Sequence, residues 1–238
     1  MKKAIIIGAS SGIGKELTKV LSENNYQLGL VARRTELLKE LQNELKTKSF
    51  LKSFDISNVE EAMNHLQELI NEMKEVDLII ICAGCGFENH DLEFEKEKRT
   101  IDVNVSGFSA MINLAYKYFS RQGSGHIVGI SSIAAIRGGA DSPAYYASKS
   151  FVSNYMEGLR VKASKEKRSI IITDVKPGFV DTAMAQGEGL FWLASPEKAA
   201  RQIYIVITKK KKHAYITKRW ALIACLLKIL PESIYKRI

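Results

Sequence analysis

Cysteine is scarce in this chain of 238 residues. The three thiols, Cys82, Cys85 and Cys225, cannot make a disulfide framework, which points to a reducing, cytoplasmic setting. No apolar run approaches the ~20 residues that a bilayer span requires. The opening MKKAIIIGAS imitates a secretory leader for a few positions, but its apolar run stops at Gly8, so it reads as a first strand. Internal repeats, low-complexity tracts and a domain linker are also missing. With 46% hydrophobic residues, a single α/β domain around one large core is the expected outcome. Metal-ligand spacing is absent as well: His65 sits in a helical surface pattern, His90 in an acidic loop, and His126 and His213 open strands, so no metal is expected. Cys82-x-x-Cys85 has no second pair to complete a zinc site and no helix start behind it to activate a dithiol, so both read as small buried hydrophobes.

Acidic side chains nearly vanish from residue 197 onward, where 11 Lys and Arg face 2 Glu; this imbalance is the whole formal charge of +9. Residues 1–196 hold 24 basic and 24 acidic side chains. The pI of about 9.3 therefore belongs to a tail, and a nucleic-acid surface spread over the domain is excluded.

What is present is organised around SSIAAIRGGADSPAYYASK, Ser131 to Lys149. A strand-like run, His126 to Ile130, delivers two serines, and a Gly-rich bend follows at Arg137 to Ala140. Ser142-Pro143 then reads as a helix start, with Ser as N-cap and Pro at the first helical position. Tyr145 and Lys149 are four apart, so they share one helix face. A phenol with a pKa of about 10 is a poor acid or base near neutrality, and a neighbouring ammonium favours the phenolate. Phenol, ammonium and a serine hydroxyl make a proton-transfer device. Tyr146 lacks such a partner, because its i+4 neighbour is Ser150.

Ala4 to Ile7 is a short apolar run of the kind buried on both faces of a parallel sheet. It feeds GASSGIG, Gly8 to Gly14, and then a helical stretch, Lys15 to Ser22. Strand, Gly-rich turn and helix are the context of a dinucleotide site. Gly8 allows the tight turn, Gly12 the approach of the pyrophosphate and Gly14 the packing of helix on sheet, while the helix N-terminus faces the phosphates. The second strand, Gln27 to Ala32, ends in Ala32-Arg33-Arg34. A site selective for NAD carries a carboxylate there, about 20 residues past the glycines. The missing acid and the guanidinium of Arg33 favour a ribose 2′-phosphate, hence NADP(H) over NAD(H).

Ser132, Tyr145 and Lys149, above a Gly-x-x-x-Gly-x-Gly turn, resemble the short-chain dehydrogenase/reductase family, and the resemblance runs from Lys3 to about Ile207. It implies an NADP(H)-dependent oxidoreductase that moves a hydride between the nicotinamide and a carbonyl or secondary alcohol, with Tyr145 as general acid/base. Ser132, at the family's usual spacing before the tyrosine, would orient the substrate oxygen, leaving Ser131 the less favoured serine. Lys149 would depress the Tyr145 pKa and bind the nicotinamide ribose. Asn104 matches the family's helix-interrupting Asn, whose carbonyl holds a relay water. The cofactor contacts implied are Gly8, Ser10, Ser11, Gly12, Ile13 and Gly14 at the phosphates, with Arg33 and Arg34 at the 2′ position. Asp55 and Ile56 would lie by the adenine, followed by Cys82, Ala83 and Gly84. Tyr145, Lys149, Pro177, Gly178, Val180 and Thr182 would surround the nicotinamide. Many relatives have Asn-Asn-Ala-Gly where this chain has Ile81-Cys82-Ala83-Gly84, and Thr where it has Ile7.

Helical stretches at Thr35–Leu45, Val59–Met73, Phe94–Val103, Asn104–Arg121 and Phe151–Ala163 alternate with strand-like runs at Phe50–Phe54, Asp77–Ile81, Ile170–Val175 and His213–Thr217. Ser195-Pro196-Glu197 opens a further helix. The alternation predicts an α/β fold, a doubly wound Rossmann-type parallel sheet flanked by helices. A single NADP(H)-binding domain is expected over 1–217, with a substrate lid at 183–194 that carries Met184, Leu190, Phe191 and Trp192. A basic, apolar helix follows in 218–238. Its run Trp220 to Leu227 is too short to span a bilayer and too continuous for a solvated helix. Basic flanks and a Trp at the polar edge give it the composition of an interfacial helix. Three readings stay open: peripheral membrane contact, a cover over an apolar substrate, or packing on its own domain or a partner subunit. The expected partner is a small apolar carbonyl or alcohol, and the resemblance implies a homo-oligomer through two long helices. The rival functions are a non-catalytic cofactor-binding regulator and a membrane-surface protein of the same fold; the intact Asn104, Ser132, Tyr145 and Lys149 argue against the first.

Overall fold

The structure, a computed structural model, describes residues 1–185 and 191–236. The strands are β1 (Lys3–Ile7), β2 (Gln27–Ala32), β3 (Ser49–Ser53), β4 (Leu78–Ile81), β5 (Ser124–Ile130), β6 (Ser169–Pro177) and β7 (His213–Ile216). They form one parallel sheet in the order β3-β2-β1-β4-β5-β6-β7. Between them run α1 (Gly12–Glu23), α2 (Thr35–Glu44), α3 (Val59–Met73), α4 (Phe94–Ile101), α5 (Phe108–Gln122), α6 (Pro143–Lys165) and α7 (Pro196–Thr208). After β7 come α8 (Trp220–Ile229) and the single-turn α9 (Glu232–Tyr235).

The two faces of β1 show how sequence becomes layers. Ile5 and Ile7 point to one side and pack in a core with Leu66 of α3, Met111 of α5 and Val152 of α6. Ala4 and Ile6 point to the other and meet Leu17 of α1, Leu38 of α2 and Ile203 of α7. Both faces are covered, so the strand has no polar alternation. From β1 the chain goes outward to β2 and β3 on one side and resumes with β4 on the other. This reversal opens a crevice beyond the strand C-terminal ends, where such sheets bind ligands.

Two expected helices prove to be one interrupted helix. α4 and α5 are joined by a π-helical turn, Asp102–Gly107, which carries the buried Asn104. The widened turn sits against the loop after β3: a Cβ at Gly107 would come within 2.5 Å of the Ile56 carbonyl oxygen. β5 begins earlier than expected, so His126 lies inside it, its ring nitrogen 2.8 Å from the Thr173 hydroxyl. β6 runs on to Pro177 because Lys176 and Pro177 still pair with Tyr215 and Ile216 of β7.

The tail corrects one expectation. Trp220 is not at a polar edge but buried, with its indole against the Gly178 backbone and its ring 5.2 Å from Phe179. Ala224, one turn on, is buried too, while Leu222, Leu226 and Ile229 face solvent.

Candidate active site

The first component is the turn after β1. Gly8 has φ 97°, and a Cβ there would meet the Ala83 nitrogen at 2.5 Å. A Cβ on Gly14 would come within 2.0 Å of the Gly8 oxygen, so α1 rests directly on the turn. These close approaches draw Cys82, Ala83 and Gly84 at the end of β4 beside the turn. The Cys82 and Ala83 amides both donate to the Ile7 carbonyl at 2.8 Å. Gly12 faces Thr182, whose methyl would lie 3.0 Å from an added Cβ. The glycine turn and the Pro177–Thr182 segment therefore line opposite walls of one crevice. Ser10 and Ile13 are half-buried in the turn and Ser11 is exposed.

The second component comes from β5 and α6. Ser131 and Ser132 end the strand side by side but have different surroundings. The Ser131 hydroxyl donates to buried Asp174 on β6 and to the Val175 carbonyl. The Ser132 hydroxyl accepts the Ala134 amide at 3.1 Å and lies on the side of Tyr145, whose pKa it lowers. α6 starts with Pro143 after Ser142, although the Ser142 side chain makes no capping bond. Tyr145 is half-buried, its ring lying on the Gly86 backbone. Tyr146 turns away onto Gly139.

Lys149 is buried, its ammonium 5.6 Å from the Tyr145 ring centre and donating to the Ile130 carbonyl at 3.2 Å. Here the electrostatics depart from expectation. Burial pushes the Tyr145 phenol up; Ser132 pulls it down and Cys85 adds to the rise. Burial also pushes Lys149 down, against the opposing pull of Cys82, Cys85 and Asp174. Lys149 is thus not what sets the direction of the Tyr145 shift. Its ammonium lies beside the ring, and the loss of hydration dominates both groups.

Asn104 holds the wall between them. Its side-chain oxygen accepts the Cys85 amide at 2.9 Å, and its amide nitrogen donates to the Cys85 carbonyl at 2.7 Å and to Ser148 at 2.9 Å. The Ser148 hydroxyl in turn donates to the Tyr145 carbonyl. Asn104 and Lys149 converge on Gly84, where an added Cβ would lie 3.2 Å from both the Asn104 oxygen and the Lys149 nitrogen.

At the far end of the crevice, Arg34 reaches the hydroxyls of Ser10 and Ser11, each at 3.2 Å. Arg33 turns to Asp55 at 3.5 Å and remains mostly exposed. Asp55 is committed to Arg99 at 2.7 Å and to the amide and hydroxyl of Ser57. Burial raises its carboxyl, but these donors outweigh it and hold the pKa at about 2. Ile56 beside it is buried. The Cys82 thiol is pushed by burial up to about 11, and Cys85 is raised for the same reason, so neither is a poised thiolate. Among the described residues no cluster of three His, Cys, Asp or Glu could hold a metal ion.

The chain at either end of the expected lid is held together: Val180 bridges Ala194, the Asp181 amide donates to the Ala194 carbonyl and the Ala194 amide to that of Phe179. Met184, Phe191 and Trp192 are substantially exposed; Leu190 lies outside the described residues. The Trp220 indole N–H is buried with no partner among the described residues, next to Gly178. A crevice walled by backbone at both ends, with an arginine at one end and an orphaned donor beside the other, fits an elongated anionic dinucleotide.

A family model described as short chain dehydrogenase matches residues 2–190. The chain belongs to the short-chain dehydrogenase family. An uncharacterized oxidoreductase of Mycobacterium tuberculosis is 30% identical over 247 residues, spanning 99% of this chain and 96% of the relative. Among solved structures, ElxO with NADP bound superposes with a TM-score of 0.81 at 21% identity, covering 92% of this chain and 98% of that one. The 3-ketoacyl-(acyl-carrier-protein) reductase of Brucella melitensis, complexed with NADH, gives 0.80 at 18% identity, covering 91% and 97%.

In this short-chain dehydrogenase, Asn104, Ser132, Tyr145 and Lys149 share one crevice end with Gly84, while Pro177, Gly178 and Val180 lead to Thr182 opposite Gly12. Two features were not legible beforehand. One is Ser148, which ties Asn104 to α6. The other is the buried Asp174, which receives hydrogen bonds from Ser131, Ser153 and Lys176. Asp174 did leave a signal: it is an acid in the otherwise apolar run Ile170–Val175, where an unpaired charge would be costly.

Proposed function

We propose that this chain is an NADP(H)-dependent oxidoreductase of carbonyl or secondary-alcohol substrates. The observation that carries the reading is the convergence of Ser132, Tyr145, Lys149 and Asn104 at the strand ends, opposite a glycine turn that admits a dinucleotide. The glycine turn, Ser10 and Ser11 would hold the phosphates, and the Gly178–Thr182 backbone the carboxamide. Lys149 beside Gly84 is placed for the ribose. The nicotinamide supplies or takes up the hydride. Ser132 hydrogen-bonds the substrate oxygen and fixes its position. Tyr145 transfers the proton at that oxygen. Its raised pKa keeps the phenol protonated at neutral pH, the state needed to donate during carbonyl reduction. Asn104 keeps the Cys85 backbone and α6 in register, and its place in a π-turn suits a backbone carbonyl released for a relay water.

The preference for NADP(H) over NAD(H) rests on the absence of a carboxylate at Ala32 and on two guanidiniums. Of these, Arg34 spans the serines of the turn and is the better placed for a 2′-phosphate. The NADP-bound neighbour agrees with this preference, while the NADH-bound one has the same fold. Residues 1–217 form the cofactor-binding unit, and 183–194 the lid. We further propose a cytoplasmic homo-oligomer; a groove of about 540 Å³ lined by Tyr116, Tyr155 and Leu159 lies between α5 and α6, the two long helices. The deciding experiment is NADPH oxidation by purified protein with a panel of aldehydes, ketones and diketones, beside a direct NADPH titration. Tight NADPH binding with turnover of at least one apolar carbonyl is expected. No binding of either nicotinamide cofactor would refute the reading.

A further inference from the structure

The exposed face of α8 cannot be explained by the domain it belongs to. Leu222 is 74% exposed, Leu226 51% and Ile229 73%, and their spacing of four and three residues puts them on one stripe. The opposite face is already spent on Trp220 and Ala224, so the helix cannot roll to bury the stripe. A second apolar surface lies on the other side of the helix. Phe191 and Trp192 pack against the buried Trp220 with ring centres at 5.2 and 5.9 Å, the latter edge-on, and are themselves nearly half exposed. Arg219 lies over the Trp192 ring at 4.8 Å and donates to its carbonyl.

The rim of this apolar face is cationic. Lys218, Arg219 and Lys228 are exposed on α8 or just before it, within a stretch from residue 197 onward that holds 11 basic and 2 acidic side chains. An exposed apolar stripe with cations around it is the pattern of a helix lying in the interface of an anionic bilayer. No described helix is long and apolar enough to cross a membrane, so the contact would be superficial. A second copy of the chain is a poorer occupant. A two-fold contact through this face would set like-charged rims against each other.

The C-terminal end of α8 and α9 are tied to the loop that leads to Tyr145. The Arg137 guanidinium donates to the Leu227 and Leu230 carbonyls at the end of α8, and the Tyr235 hydroxyl of α9 donates to Gly138. Gly139, next in this loop, carries the Tyr146 ring, which meets Tyr145 edge-on at 6.2 Å. The tail thus lies on the loop joining Ser132 to Tyr145.

We propose that this chain docks on anionic lipid through the α8 stripe, and that its substrate is a bilayer-partitioned carbonyl or alcohol taken up at that face. The second half rests on the oxidoreductase reading; the first does not. The test is sedimentation of the full chain with phosphatidylcholine vesicles, with and without phosphatidylserine. Retention is expected on the phosphatidylserine vesicles at low salt, fading as salt rises. Leu222→Gln/Leu226→Gln/Ile229→Gln, all at exposed positions, should weaken it at least tenfold. Lys218→Gln/Lys228→Gln should weaken it by about fivefold per lysine. Equal retention of the triple-Gln variant would mean that the basic side chains from residue 197 onward merely adhere, and it would overturn the docking. So would failure of the wild type to sediment, or a concentration-dependent dimer that the triple-Gln variant abolishes without any lipid binding. For the substrate half, kcat/KM should be at least tenfold higher for a long-chain than for a short-chain aldehyde; equal values would overturn that half alone. Vesicle retention with no turnover of any carbonyl would instead refute the oxidoreductase reading and leave the docking standing.

Discussion

Replacing Asp174 alone should damage the protein far more than replacing Asp174 and Lys176 together. Asp174 is wholly buried in β6 and accepts from the Ser131 hydroxyl, from the Ser153 hydroxyl at 2.8 Å and from the Lys176 ammonium. The Lys176 side chain is 11% exposed, so Asp174→Asn strands a cation that has little water to turn to. Breaking a buried pair in this way costs about 3–5 kcal/mol, whereas exchanging both members for neutral groups is often close to neutral. The Asn oxygen can still accept from one serine, which puts Asp174→Asn near the lower figure, about 3 kcal/mol. That is a large share of the ~5–15 kcal/mol by which domains are stable. Lys176→Met should lose a similar amount, because it leaves the carboxylate with only two hydroxyl donors. The double variant should sit within about 1 kcal/mol of wild type. Urea unfolding followed by circular dichroism, with a common slope for the four proteins, measures the cycle. A double variant that loses the sum of the two singles would show that the two groups do not act as a pair. Singles within about 0.5 kcal/mol of wild type would show that the site is wetter than its burial implies.

The remaining predictions concern the crevice itself. Tyr145→Phe should keep NADPH affinity and lose about 10²–10⁴-fold in turnover, while Tyr146→Phe, whose ring rests on Gly139, should retain most activity; the opposite ranking would move the acid to the neighbouring residue. Because burial raises the Tyr145 pKa, carbonyl reduction should fall and alcohol oxidation rise as pH increases through it, and a reduction rate that climbs with pH would contradict the assigned proton donor. Arg34→Ala should weaken NADPH by about 10–100-fold, the worth of a charge-assisted phosphate contact, with NADH little changed and Arg33→Ala milder; equal wild-type affinity for the two cofactors in a titration would sink the assignment. The Asp55 carboxyl, at about 2 against an ordinary 3.8, adds stability above about pH 4 that is lost as pH falls toward 2. Acid titration of unfolding in Asp55→Asn should therefore show a shallower slope in that window than wild type, and identical slopes would show that the Arg99 pair is idle.

Much of the fold could be read before any coordinates because its buried strands leave no alternative period. Gln27–Ala32 and Val59–Met73 carry the same bounds in both, since a Gly- or Asn-containing turn and an acidic first turn mark their ends. The alternation of strands and helices was sufficient for a doubly wound sheet, and the glycine spacing for a phosphate turn at its centre. What did not show in the pattern was the π-turn at Asp102–Gly107. A widened turn conserves the apolar stripe on both sides, so Phe94–Val103 and Asn104–Arg121 looked like two helices that merely touched. Trp220 misled for a related reason: one-dimensional composition places an indole at the edge of a basic helix, and only the Cβ-free surface of Gly178 reveals that there is room to bury it.

The site was legible in its residue types and less so in its electrostatics. Tyr145 and Lys149 share a helix face by their spacing, while the choice of Ser132 over Ser131 came from the resemblance to the family. The direction of the Tyr145 shift could not be read in this way, because it depends on how much water each group loses, and spacing does not report depth. Spacing likewise did not show which of Arg33 and Arg34 reaches the serines of the glycine turn. Neighbours at the end of a strand point to different sides, and which one meets Ser10 and Ser11 is fixed by the start of α2 rather than by the arginine itself. Asp174 carries the lesson furthest. An acid inside an apolar strand could be paired, protonated or misplaced, and only the arrival of Lys176, Ser131 and Ser153 from one strand, its neighbour and a helix decides among these. Placed between the serine pair and α6, that carboxylate couples the register of β5, β6 and α6. The positions of Ser132 and Lys149 are then held through their neighbours Ser131 and Ser153, one residue and one helical turn away.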